Sequence, residues 1–225
     1  MAESYINYYD RGEEIISSFG GKKKSLLMHV CCAPCACFPL TYVCEHFDLT
    51  IYFDNSNIYP EAEYQKRLGE LEKLLAYMKR DYGYDIKLIV PPYDHEAYMA
   101  DLLPYKDQPE CGFRCHLCYR KRMKSSFDYA ESHGYDYCCT VMPISREKNS
   151  LILNHIGEEL EKEHSKTKYF YSDFKKHDGA LKGVNIRKGY DLYYQKYCGC
   201  EFSLDSRLKW DAYKASLNQN SDIKN

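Results

Sequence analysis

Short apolar runs alternate along this chain with longer amphipathic stretches, a pattern that predicts strands followed by helices. A helix over 4–19 ends at Gly20 and Gly21, and a strand over 25–30 follows. Pro34 breaks that run, a helix starts at Ala36 and reaches about 47, and a second strand covers 49–54. The polar turn from Asn55 to Pro60 opens the helix with the clearest pattern, 61–82, where Leu68, Leu71, Leu75, Met78 and Tyr82 recur on one face before Gly83 closes it. A third strand over 85–90 stops at Pro91 and Pro92, helices cover 95–103 and 114–133, and a fourth strand spans 136–142. Beyond Pro143 the pattern loosens: a helix over 149–163, an extended piece at 168–171, a basic segment to Lys188, a last helix over 204–217 and a frayed tail. The order implies an α/β fold, a mostly parallel sheet flanked by helices, with an irregular, mainly helical C-terminal part. Neither a repeat nor a linker divides it, so residues 1–225 read as a single domain.

Composition narrows the class. The chain is 225 residues long with 44% hydrophobic and 28% charged side chains, enough to bury a core. No apolar run approaches the ~20 residues of a membrane span, and the first residues lack a secretion signal, so a soluble, cytoplasmic protein with no membrane partner is expected. In that reducing compartment twelve cysteines point to metal binding or redox chemistry and not to a disulfide framework. Cys37, Cys44, Cys138 and Cys139 read as small buried hydrophobes. A net charge of -2 argues against indiscriminate nucleic-acid binding but leaves room for a local basic face.

Chemistry concentrates in three places. The strand over 25–30 delivers Cys31 and Cys32 to a strand's carboxyl end, where open α/β sheets bind ligands. Cys115 and Cys118, three apart at a helix start, share one face, and the helix N-terminus favours their thiolates. Together the pairs offer the ligand set of a zinc ion or an iron-sulfur cluster. Adjacent cysteines occupy two corners of one tetrahedron awkwardly yet can reach different irons of a cubane, which tilts the reading toward a cluster and leaves zinc as the alternative. His116 points away from the shared face, and Cys111 lies one residue too early for the same spacing and reads as structural.

The third place is Cys198-Gly199-Cys200. One intervening glycine keeps the two Cα atoms within about 7 Å, so a strained, easily reduced disulfide can close, as suits a redox couple. Two further ligands or two inert thiols are the alternatives. Arg114, Arg120, Lys121, Arg122 and Lys124 form one basic run and Lys175, Lys176, Lys182, Arg187 and Lys188 another; either solvated faces or a frame for a polyanion would use them. Asn57, Glu63 and Arg67 lie on the same side of the sheet, where they can contact substrate; a solvated helix surface explains Glu63 and Arg67 equally well. A Gly-rich phosphate loop is missing after the first strand, which argues against ATP.

The motifs H-V-C-C-A-P-C at 29–35, N-I-Y-P with E-Y-Q-K-R within 57–67, R-C-H-L-C-Y-R-K-R at 114–122, M-P-I-S-R-E-K-N at 142–149 and Y-C-G-C at 197–200 resemble, in order and spacing, the epoxyqueuosine reductase QueH family. The resemblance implies the last step of queuosine synthesis, reduction of the epoxide of epoxyqueuosine at the wobble position of a tRNA. It implies a 4Fe-4S cluster on Cys31, Cys32, Cys115 and Cys118, a redox-active pair at Cys198 and Cys200, and a second iron for which Cys35 is the nearest candidate. It also implies a sheet similar to that of the adenine-nucleotide α-hydrolase-like superfamily and a low-potential electron donor such as ferredoxin or flavodoxin. Two departures stand out: Asp54-Asn55-Ser56-Asn57 where the family tends to have Asn-Pro-Asn, and Cys111 where glycine is usual. The competing expectations are a thiol-disulfide oxidoreductase with a structural zinc and a zinc-stapled RNA-binding module.

Overall fold

β1 (Lys24–His29) forms where the chain first becomes continuously apolar, and Leu26, Leu27 and Met28 in it are fully buried. In the computed structural model, which describes residues 7–222 and side chains through 217, it is the middle of a five-stranded sheet. The others are β2 (Phe47–Tyr52), β3 (Lys87–Ile89), β4 (Tyr137–Thr140) and β5 (Lys168–Tyr169), in the order β3-β2-β1-β4-β5 with every pairing parallel. Leu26 registers with Leu49 on one side and Tyr137 on the other. The chain therefore winds outward from β1 in one direction through β2 and β3, then returns to cross to β4. Such a reversal opens a crevice at the carboxyl end of the central strand, and Cys31 and Cys32 stand there.

Parallel neighbours need crossovers, and helices supply them. α1 (Tyr8–Ser17) precedes the sheet, while α2 (Ala33–Val43), α3 (Glu61–Tyr82), α4 (His95–Ala100), α5 (Phe113–Ser132) and α6 (Ser150–Glu163) connect its strands. The expected residues 4–6 of the first helix and 223–225 of the tail lie outside the described residues. α2 starts at Ala33, three residues before the expected Ala36, and Pro34 sits in its first turn, where an absent N–H is no loss. The basic segment expected as irregular contains α7 (Gly179–Gly189), which lies so close to α2 that a Cβ on Gly179 would sit 2.6 Å from the Phe38 ring. α8 (Glu201–Asp222) starts three residues earlier than the pattern indicated and runs through part of the expected tail.

The core between sheet and helices is aromatic at its closed end, with Phe47 against Phe170 at 4.9 Å between ring centroids. Cys37, Cys44, Cys138 and Cys139 are buried as expected, and burial pushes the Cys37 and Cys44 thiols up to about 12. Among the described residues no helix is long and apolar enough to cross a membrane.

A thiol-rich candidate metal and redox centre

His29, at the last position of β1, fixes the floor of the crevice. It is fully buried, with Nδ1 3.0 Å from Thr140 Oγ1 of β4 and Nε2 3.3 Å from Asn55 Oδ1 after β2. The Asn55 amide donates in turn to Val30 O at 2.8 Å, so its oxygen accepts from the imidazole. Burial, helped by the Arg122 charge, lowers the His29 pKa to about 4, and the ring stays neutral. Three strand ends are tied together directly beneath the cysteines.

Cys32 is the extended residue before α2, and Cys35 lies in its first turn, which folds this sulfur back over the strand end. The Sγ atoms of Cys31, Cys32 and Cys35 all lie within 4.8 Å of one another, a group able to hold a metal ion. Donation from the Cys32 and Cys35 thiols outweighs burial and carries the Cys31 pKa well below its ordinary value, with Lys148 and Arg122 adding to the effect. Burial pushes Cys32 up to about 12. Cys35, which the resemblance makes the nearest candidate for a second iron, is thus part of this compact trio. Cys115 and Cys118 are not part of it; they occupy the first turns of α5. Burial raises Cys115 to about 11, and Cys198, Cys118 and Cys200 are near enough to add to the shift. The Tyr98 hydroxyl donates to Cys118 Sγ at 3.3 Å.

Two cations face these sulfurs. Arg122, one turn beyond Cys118, is 2% exposed and its Nη2 has no hydrogen-bond partner. Burial opposes its charge, but Cys118, Tyr98, Cys198 and Cys31 hold it protonated. Lys148 is opposed by burial in the same way and held charged by Cys198, Cys31 and Cys35. Among the described residues neither makes an ion pair with a carboxylate. Converging thiols beside unpaired cations fit an anionic metal-thiolate group, since such a group would otherwise leave charge of one sign buried.

The remaining basic run behaves differently. Arg120 pairs with Glu159 and Glu163, Lys121 with Asp101 and Lys124 with Asp128, and the Arg114 guanidinium lies 4.1 Å from the Phe202 ring centroid. Carboxylates neutralise Arg120, Lys121 and Lys124 of this run.

The loop carrying Cys198 and Cys200 is held by a residue the sequence assigned elsewhere. Arg67 was expected at a substrate contact, yet it is 2% exposed, paired with Glu63 at 2.8 Å, and donates to the carbonyls of Cys198 at 2.9 Å and Tyr197 at 3.2 Å. The Tyr59 N–H holds Gly199 O at 2.8 Å. Gly199 has φ +139°, and a Cβ there would meet Arg67 Nη1 at 3.1 Å and Ile58 at 3.2 Å, so the position requires glycine. Cys198 is exposed, Cys200 is half-buried with its pKa raised by burial, and both are free thiols. Gln195 joins the loop to the trio, its amide donating to Cys32 Sγ at 2.9 Å. Cys111, expected as structural, is exposed with φ +62° and donates to Glu147 O at 3.1 Å. Lys148, Gln195 and Tyr98 escaped the sequence reading; only Lys148 had a signal, in the M-P-I-S-R-E-K-N motif.

Residues 26–206 match the family model described as epoxyqueuosine reductase QueH. Curated relatives bearing the name epoxyqueuosine reductase QueH include one from Streptococcus pyogenes serotype M1, 34% identical over 87% of this chain and 77% of its own length. One from Staphylococcus aureus strain Mu50 is 32% identical over 99% of this chain and 96% of its own. One from Thermotoga maritima is 30% identical over 81% of this chain and 92% of its own.

Proposed function

The chain belongs to the epoxyqueuosine reductase QueH family, and on that footing we propose that it finishes queuosine synthesis in the cytoplasm by removing the epoxide oxygen of epoxyqueuosine at a tRNA wobble position. The observation that carries this reading is the family match over 26–206, a span containing Cys31, Cys32, Cys115, Cys118, Cys198 and Cys200.

Converting an epoxide to an alkene takes two electrons and two protons and releases water. The dithiol of Cys198 and Cys200 supplies that set: the pair closes to a disulfide, the two C–O bonds break, and the oxygen leaves as water. A low-potential donor such as ferredoxin or flavodoxin then restores the thiols. Exposure of Cys198 lets it approach a substrate, and Arg67 fixes the backbone that carries it. Cys31, Cys32, Cys115 and Cys118 are the proposed holders of a 4Fe-4S cluster, with Cys35 available to a second iron; a cluster supplies single-electron transfer and a Lewis-acidic iron. Arg122 and Lys148 support this assignment, since they offset the charge of an anionic cofactor.

The test is turnover of tRNA carrying epoxyqueuosine by protein kept free of oxygen, read by mass spectrometry of the released nucleosides. Loss of one oxygen from the modified nucleoside is expected. A substrate recovered unchanged in the presence of a competent reductant sinks the proposal.

A further inference from the structure

Beside the thiols a cleft of about 320 Å³ opens between the 144–147 turn and α7. Its lining includes Cys35, Arg146, Glu147, Arg187, Tyr194 and Gln195. Three features of this lining have no role in the dithiol chemistry. Tyr194 is 62% exposed, and the Arg187 guanidinium lies 5.1 Å from its ring centroid. Glu147 makes no ion pair among the described residues. Gln195 is held by its amide nitrogen on Cys32 Sγ at 2.9 Å, while its Oε1 is buried with no hydrogen-bond partner. A buried acceptor left unsatisfied costs stability, and a ligand that donates to it recovers that cost.

We propose that this cleft receives the modified nucleobase, extruded from the anticodon loop, and that Gln195 registers it against the thiols. The inference rests on the reductase reading for the identity of the ligand; the shape and chemistry of the cleft select the subsite. Enzymes that act on a base take it out of the stack into a pocket and read its pairing edge. The cleft volume suits one base with its substituent, being at the small end of ligand pockets. The substrate is a flat 7-deazaguanine with a ring N–H and an exocyclic amine as donors, joined to its cyclopentane through a secondary amine that is protonated at neutral pH. Tyr194 under Arg187 is a stacking platform for the ring. Glu147 is an acceptor for the cationic amine or the pairing edge, and Gln195 Oε1 is an acceptor whose position is set by the Nε2 donation to Cys32 Sγ. One residue thereby couples the place of the base to the place of the thiols.

Equilibrium titration of the nucleoside queuosine into the full chain tests this without turnover. Tyr194→Ala, Glu147→Gln and Gln195→Met are each expected to weaken binding roughly tenfold or more. Tyr82→Ala, at an exposed tyrosine at the far end of α3, is expected to bind as the unaltered chain does. Tyr194 and Glu147 are surface residues, so their variants fold irrespective of what Gln195→Met does to the trio. Unchanged affinity in both surface variants overturns the cleft as the base site, as does an unaltered chain that binds no queuosine. If that chain still reduces the epoxide on tRNA, the reductase reading survives; if it does not, the failure lies with the reaction itself.

Discussion

Arg67 decides where the redox pair stands. Its three nitrogens are committed to Glu63 and to the carbonyls of Cys198 and Tyr197, so its removal frees the loop and leaves a largely buried carboxylate with the Tyr193 hydroxyl but no cation. Arg67→Met is expected to lower stability by about 3 kcal/mol and to increase the rate at which Cys198 is alkylated, measured by denaturant titration and mass spectrometry. Arg67→Lys keeps the charge and loses the fork, so it should restore stability in part but leave the loop loose. Cys198→Ser is expected to abolish turnover while leaving the visible absorbance of the bound cofactor intact; loss of colour would reassign Cys198 as a ligand. None of this was legible at Arg67 itself. Its spacing after the polar turn suggested a substrate contact, because sequence gives the helix face but not the chain segment, 130 residues away, that packs upon it.

The elements show the same division. Helical periodicity located α3, and the positions of Cys115, Cys118 and Arg122 on α5 follow from its 3.6-residue turn. α7 was hidden because its packing face consists of Gly179 and Gly183 against Phe38, which leaves no apolar period to read. A comparable close approach joins α6 to the sheet: a Cβ on Gly157 would lie 2.4 Å from the buried Tyr169 ring. Gly157→Ala should therefore cost about 2 kcal/mol, read from the denaturation midpoint. At the opposite end of the sheet the Asp136 carboxylate accepts from Ser25 N–H at 2.9 Å and Ser25 Oγ at 2.8 Å, clasping β4 to β1. Burial raises its pKa, but those donations and Lys24 outweigh it, and the net shift is downward from 3.8. A carboxylate lowered on folding stabilises above its unfolded value and loses that contribution as pH falls through the folded one. Asp136→Asn should thus reduce stability at neutral pH, and the difference from the unaltered chain should shrink as pH falls through the lowered folded value, in urea titrations across the acid range.

At the scale of the whole molecule, a parallel sheet with a reversal at its central strand opens a crevice at that strand's carboxyl end, where Cys31 and Cys32 stand. That much was legible: alternating strands and helices gave the fold class, and the apolar run ending at Cys31 placed two thiols at the crevice. The trio with Cys35, the unpaired Arg122 and the Gln195 link depend on loop geometry and long-range contacts that no local pattern encodes. In the first basic run sequence shows Arg120, Lys121 and Lys124 without the carboxylates that fold against them. Cys31, Cys32, Cys115 and Cys118 are proposed to hold an iron-sulfur cofactor, and iron, acid-labile sulfide and zinc analysis of the chain purified without oxygen decides it. About four irons and four sulfides per chain are predicted; a single zinc with no sulfide would rule the cluster out.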